Sequence, residues 1–178
     1  MSKLNKVLHK FGRLAVEKAQ LELGVDRRID GKRVRRVSSG KLQNSLAYRT
    51  FNDKFIFGVD FYAKGDASRY ADFIEQGVSG TKRRYDTPYS FKGKFVNIGA
   101  VERWIRTKPI RLRDKEGRFI KMSDKNIKSA SFVMARSIAQ KGIAGIRYFR
   151  KGIENALGRM EDEITEAVAD DLTVNIDL

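Results

Sequence analysis

An α+β fold, with an antiparallel β-sheet packed against long amino-terminal and carboxy-terminal amphipathic helices, is what three features of the sequence predict. Apolar residues recur at helical spacing at both ends of the chain, from Leu4 to Leu23 and from Phe149 to Ala167. Between them, residues 47–59 alternate with the period of two that marks a hairpin. A third stretch, residues 78–123, reads as an excursion carrying its own helix and a basic β-hairpin. With 178 residues the chain has the size of one ordinary domain, so a single domain is expected over residues 1–178, its core formed by about 1–77 and 124–178.

In the first helix, Leu4, Val7, Leu8, Phe11, Leu14, Ala15, Ala19 and Leu23 share a face, and Gly24 is placed to end it as a left-handed cap. Residues 26–38 hold six basic side chains around the turn signal Asp30-Gly31, which predicts a mobile loop or loose ribbon. Ser38 or Ser39 is positioned to cap a short turn containing Leu42 and Leu46. A strand over residues 47–51, a reversal at 52–54 and a second strand over 55–59 follow, with Phe55, Phe57 and Val59 on one face. Residues 67–76 form a short helix with Tyr70, Phe73 and Ile74 on one side, and residues 77–93 read as an extended exposed loop.

The spacing then predicts a helix over 98–107 that groups Val101, Trp104 and Ile105 and closes at Lys108-Pro109. Strands over 110–113 and 118–122 flank Asp114-Lys115-Glu116-Gly117, a hairpin signature. Ser123 caps a helix over 124–140 with the stripe Ile127, Ala130 or Ser131, Met134 and Ile138, terminated at Lys141-Gly142. The last helix, over about 148–172, carries Gly152 and Gly158, which suggests close packing or a kink. Residues 173–178 alternate like a short strand able to join a sheet.

Composition narrows the chemistry. A hydrophobic content of 41% excludes a wholly disordered chain, and the absence of cysteine excludes disulfides, thiolate metal sites and cysteine nucleophiles. The charged start of the chain lacks an uninterrupted apolar run, so neither a signal peptide nor a membrane span is expected, and the protein is expected to be made in the cytoplasm. Net charge is +15, unevenly spread: residues 1–150 are basic, while residues 151–178 carry 2 basic and 8 acidic side chains. Such asymmetry suits a polyanion-facing surface or head-to-tail contact between copies.

No catalytic constellation assembles. Gly77-Val78-Ser79-Gly80 and Gly142-Ile143-Ala144-Gly145 both lack the lysine and hydroxyl residue of a phosphate loop, and the sole histidine, His9, lies in the first helix as a surface or half-buried residue. Asp72 and Glu75, one turn apart, are the only pair to consider for a metal-dependent nuclease, and they come without further ligands. Glu75 is better suited to hold the backbone of an adjacent loop or a neighbour's arginine. No metal or cofactor is expected.

Three short motifs occur in order: Ser39, Gly40, Leu42 and Ser45; then Tyr70, Ala71, Phe73, Ile74, Glu75 and Gly77; then Gly142, Phe149 and Ala156. In these the chain resembles the tail-completion, or neck, protein family of long-tailed bacteriophages, found at the junction of head and tail. It departs from the family pattern in its longer segment between Gly77 and Gly142, and in Arg147-Tyr148 where a proline usually precedes the phenylalanine. The resemblance implies a structural, non-enzymatic virion protein that assembles in the host cytoplasm into a homo-oligomeric ring, sixfold, next to other head-tail connector and tail-tube or terminator proteins. Glu75, Gly77, Glu161, Asp162, Glu163, Asp170 and Asp171 are then expected at a subunit interface. Arg27, Arg28, Lys32, Arg33, Arg35 and Arg36, with Arg111, Arg113, Arg118 and Lys121, are expected to face a partner or genomic DNA in the lumen. The alternative is a basic nucleic-acid-binding protein using the same two basic segments.

Overall fold

The computed structural model describes residues 2–25, 27–29, 32–34, 40–53, 56–108 and 111–176. In chain order the elements are α1 (Lys3–Gly24), β1 (Arg27–Ile29), β2 (Lys32–Val34), α2 (Lys41–Ser45), β3 (Leu46–Asp53), β4 (Ile56–Ala63), α3 (Ser68–Gln76), β5 (Gly77–Val78), α4 (Ile98–Thr107), α5 (Asp124–Lys141), β6 (Ile143–Ala144) and α6 (Tyr148–Ile176). The fold is α+β. The chain forms two compact units, Met1–Glu75 with Ile146–Leu178, and Gln76–Gly145.

The first unit is built on the two long helices. Ser2 opens α1 by accepting the Asn5 N–H on its hydroxyl (3.2 Å), which satisfies one of the unpaired amides of a first turn. Leu4, Val7, Phe11 and Ala15 of α1 pack with Ala156, Met160 and Ala167 of α6 in one buried cluster, as the two stripes predict, but Leu157, expected on the α6 stripe, is 46% exposed. At the crossing, a Cβ on Gly152 would lie 2.7 Å from both Ala15 O and Ala19 N, so only glycine lets these backbones approach so closely. Gly158, by contrast, has open space around it.

The hairpin supplies the second layer. β3 and β4 pair antiparallel from Leu46↔Ala63 to Asp53↔Ile56, so each strand runs eight residues, longer than the alternation suggested. The reversal falls at residues 54–55, outside the described residues. Val59 and Phe61 pack against the helix pair, and Phe61 meets Phe11 edge-on with centroids 6.1 Å apart. A reciprocal amide pair, Gln20 Nε2 to Gln43 O (3.0 Å) and Gln43 Nε2 to Gln20 O (2.9 Å), holds α2 on α1.

Several expectations are corrected in this unit. Gly24 is not a left-handed cap: α1 ends because Val25 turns extended (φ −69°, ψ 122°) while its N–H still reaches Leu21 O at 3.1 Å. The cap of α2 is Gly40 (φ 73°) rather than a serine hydroxyl, and Ser38 and Ser39 lie outside the described residues. In α3 the buried residue is Ala71, whereas Tyr70 and Phe73 are 38% and 41% exposed. Residues 173–176 continue α6 rather than forming a strand, since a helix satisfies its own amides where a lone strand needs an edge to pair with. The expected ribbon is present as β1 paired antiparallel with β2.

The second unit, Gln76–Gly145, contains α5 as well as α4, so the excursion is larger than residues 78–123. Asn97 and Ser123 cap α4 and α5, accepting the N–H groups of Ala100 (2.9 Å) and Asn126 (3.3 Å). Val101, Ile105, Leu112, Ile127 and Ala135 form its core. Trp104, expected beside Val101 and Ile105, is 44% exposed instead. The expected basic β-hairpin is present in short form: Arg113 bridges Phe119 antiparallel, the Asp114 N–H donates to Arg118 O (2.9 Å) and the Ile120 N–H to Leu112 O (3.0 Å), around a turn at Gly117 (φ 83°).

Residues 77–93 are largely exposed beyond Gly80, as expected, but they begin buried and are pinned by hydrogen bonds. Gly77, Val78, Ser79 and Gly80 are buried, and the segment is tied by Ser79 N–H to Tyr89 O (2.9 Å), Phe91 N–H to Ser79 O (2.9 Å) and Thr87 Oγ1 to Gly77 O (2.9 Å). The amides of Thr81 and Lys82 donate to Ala139 O and Gln140 O, both at 2.9 Å, so the loop caps the carboxyl end of α5. Among the described residues no helix is long and apolar enough to cross a membrane.

The two glycines of α6 should separate cleanly. Gly152→Ala gains helix propensity but overpacks the α1 crossing, for a net loss of about 1–2 kcal/mol. Gly158→Ala should gain about 0.5–1 kcal/mol, because only the propensity changes. Urea unfolding followed by circular dichroism measures both.

Candidate functional site

The second and third motifs meet at the start of α6. The Ile146 N–H donates to Ile74 O and the Arg147 N–H to Glu75 O, each at 2.9 Å. Arg147 adopts φ 57°, the one positive value among the described non-glycine residues, and this turns the chain into α6. Beyond it the Glu75 carboxylate accepts the Phe149 N–H on Oε2 (2.9 Å) and the Arg150 N–H on Oε1 (3.1 Å). A negative charge thus sits on the first-turn amides of a 29-residue helix, where unpaired donors and the helix dipole favour it.

Tyr148 completes the joint. It is fully buried, stacks at 4.9 Å on Phe149, and its hydroxyl donates to Ala71 O at 3.3 Å. Burial raises its pKa above the ordinary 10.0, and the nearby charges of Glu75 and Asp72 push in the same direction. Glu75 therefore holds backbone, that of the distant α6 start rather than of the adjacent loop, with one amide on each oxygen. Among the described residues no three His, Cys, Asp or Glu side chains cluster to hold a metal ion. His9 is half-buried, with Nε2 3.1 Å from Thr50 Oγ1.

Gly77 lies two residues on, at φ 84°, where a Cβ would meet Ile143 O at 2.5 Å. It pairs with Ala144, and Val78 with Ile143, so the two G-x-x-G segments rejected above as phosphate loops form β5 and β6. Gly142 (φ 71°) and Gly80 are equally tight: added Cβ atoms would overlap Val78 O and Gln140 O. Sequence reasoning missed this pairing, and the duplicated spacing was the signal for it.

Comparison with protein families, curated proteins and solved structures finds no match.

The predicted charged residues divide into groups. Of the acidic set, Glu163 pairs with Lys10 at 2.7 Å and Asp170 with Lys3, which Glu166, outside that set, also binds. Those hydrogen bonds, Asp170 first and Glu166 second, raise the Lys3 pKa. The interface role expected of Glu163 and Asp170 thus competes with pairing inside the chain; Glu161 and Asp162 remain exposed, and Asp171 is half-buried. Of the basic set, Arg27, Arg28, Lys32 and Arg33 lie in β1 and β2, while Arg35 and Arg36 fall outside the described residues. Arg113 lies over the Phe119 ring at 3.9 Å and Arg111 at 5.5 Å, Arg118 is bound to Asp114 and Glu116, and Lys121 is exposed.

The units differ sharply in charge. Gln76–Gly145 holds 17 basic and 5 acidic residues, net +12, against 20 and 17, net +3, for the rest. Four of those five carboxylates neutralise only two guanidiniums: Glu102 and Asp124 bind Arg106, and Asp114 and Glu116 bind Arg118.

Glu75→Ala should cost about 1–2 kcal/mol and speed amide exchange at Phe149 and Arg150, with Glu75→Gln intermediate because it keeps an acceptor but not the charge. Hydrogen exchange read by NMR resolves the two. For Tyr148 the native phenol holds its proton to higher pH than the unfolded chain does. Its contribution to stability is therefore complete below pH 10.0 and is lost as pH rises above it. Tyr148→Phe should lose about 1 kcal/mol at neutral pH, from the hydrogen bond to Ala71, yet show a shallower alkaline decline in urea titrations.

Proposed function

We propose that this chain is a structural virion protein of a tailed bacteriophage, a tail-completion or neck protein that forms a ring at the head-tail junction. The observation that carries this reading is the Glu75 cap. The second and third motifs lie far apart in sequence, and the acid of the second, Glu75, accepts the backbone N–H of the third motif's Phe149 at 2.9 Å. A helix, a hairpin and a long terminal helix joined through those motif residues support membership in that family. Glu75 and Gly77 act in this reading chiefly by fixing the path of the chain, which gives neighbouring copies a defined surface to meet.

The ring is homo-oligomeric, sixfold, and stacks between connector and tail-tube or terminator proteins, with genomic DNA passing its lumen. Its role is mechanical, with no chemical step. A second reading, a nucleic-acid-binding protein, is favoured by the +12 charge concentrated in residues 76–145. Sedimentation and negative-stain electron microscopy of the purified protein, alone and with portal-side and tail-side partners, test the first reading: closed rings that join heads to tails are expected. A chain that stays monomeric with every partner, yet binds duplex DNA with an affinity falling steeply with salt, would establish the second.

A further inference from the structure

The second unit carries an apolar groove that its own core does not fill. It has a volume of about 480 Å³ and runs between the turn around Gly117 and α5. Leu112, Ile120, Ala130 and Val133 line it; of its charged residues Asp114 is bound to Arg118 and Arg113 lies over Phe119, which leaves Lys115 to make the rim positive. Val133 is 62% exposed, although it sits among apolar neighbours on α5. An apolar floor with cationic lining fits an amphipathic, acidic helix better than it fits a bare phosphate chain, which needs no apolar contact.

Such a helix exists in the same chain. The face of α6 that packs on α1 carries Ala156, Met160 and Ala167. One position on from each of these outer residues, Leu157 and Val168 are 46% and 39% exposed, and Glu161 lies between them on the same side at helical spacing. Residues 154–171 hold seven acidic side chains and one basic, net −6, opposite in sign to the +12 of residues 76–145. Glu161 and Asp162 are exposed there and are not among the carboxylates that pair with Lys3 and Lys10.

We infer that the groove of one copy receives the Leu157–Glu161–Val168 face of α6 from a second copy, in a head-to-tail contact. Leu157 and Val168 seat on the apolar floor, and Glu161, on the same face, meets Lys115. Because the two surfaces differ, the contact is heterologous, and repeating it builds a ring or a filament rather than a closed dimer. This rests on the ring reading above and assigns its surfaces.

The chain has no cysteine, so single introduced thiols report proximity without background. Val133→Cys protein mixed with Leu157→Cys protein should give a mixed disulfide dimer under mild oxidation, and the double variant should give a ladder of covalent oligomers. Both positions are exposed, so folding is preserved, which circular dichroism confirms. Lys115→Glu should weaken association at least about tenfold, and adding Glu161→Lys on the partner copy should restore it. Oligomers that sediment normally but do not cross-link overturn this assignment and leave the ring reading standing. A chain that remains monomeric overturns both. Protection of Lys115 and Val133 by duplex DNA, without self-association, overturns it in favour of a nucleic-acid occupant.

Discussion

Two oxygens of one carboxylate hold the architecture of the first unit together. Glu75 closes α3, receives the amides that open α6, and lies beside the buried Tyr148 whose hydroxyl returns to Ala71. The chain leaves this unit after Glu75 and re-enters it at Ile146, so residues 76–145 depart and return through one small region. Inserting seventy residues costs little loop-closure entropy when both ends are already fastened, since that cost grows only logarithmically with length. The paired G-x-x-G segments next to this joint repeat the logic in the second unit, where glycine's missing side chain is what lets β5 and β6 lie together.

Charge is organised around the same division. In the first unit acids and bases nearly balance and pair across the long helices, Lys3 with Glu166 and Asp170, and Lys10 with Glu163. These pairs are exposed and screened by solvent, so they orient α6 more than they stabilise it. In the second unit the few carboxylates converge on Arg106 and Arg118, which leaves the remaining positive field projecting outward. A surface of that kind is suited to an acidic partner, and the acidic stretch of α6 is the nearest chemical match within the sequence itself.

Periodicity made much of the fold legible. The stripes of α1 and α6, the capped start of α5, the stop at Gly142 and the hairpin all follow from local rules that need only neighbours in sequence. The joint was partly legible too, since an acid at position 75 with nothing catalytic around it suggested a backbone partner. What escaped were features set by distant contacts: Trp104 left in solvent, the hydrogen bonds that pin residues 77–93, and α5 belonging with α4.

By itself, then, the sequence determined the long helices and the central hairpin, because hydrophobic spacing and capping act within a few residues. It determined also that the chain is basic and ends in acid. Only the tertiary structure decided that Glu75 caps Phe149, that Gly77 faces Ala144, and that Gly152 sets the α1–α6 approach. Each of those depends on atoms brought together from 67 or more positions apart, where steric fit and unsatisfied amides select the partner.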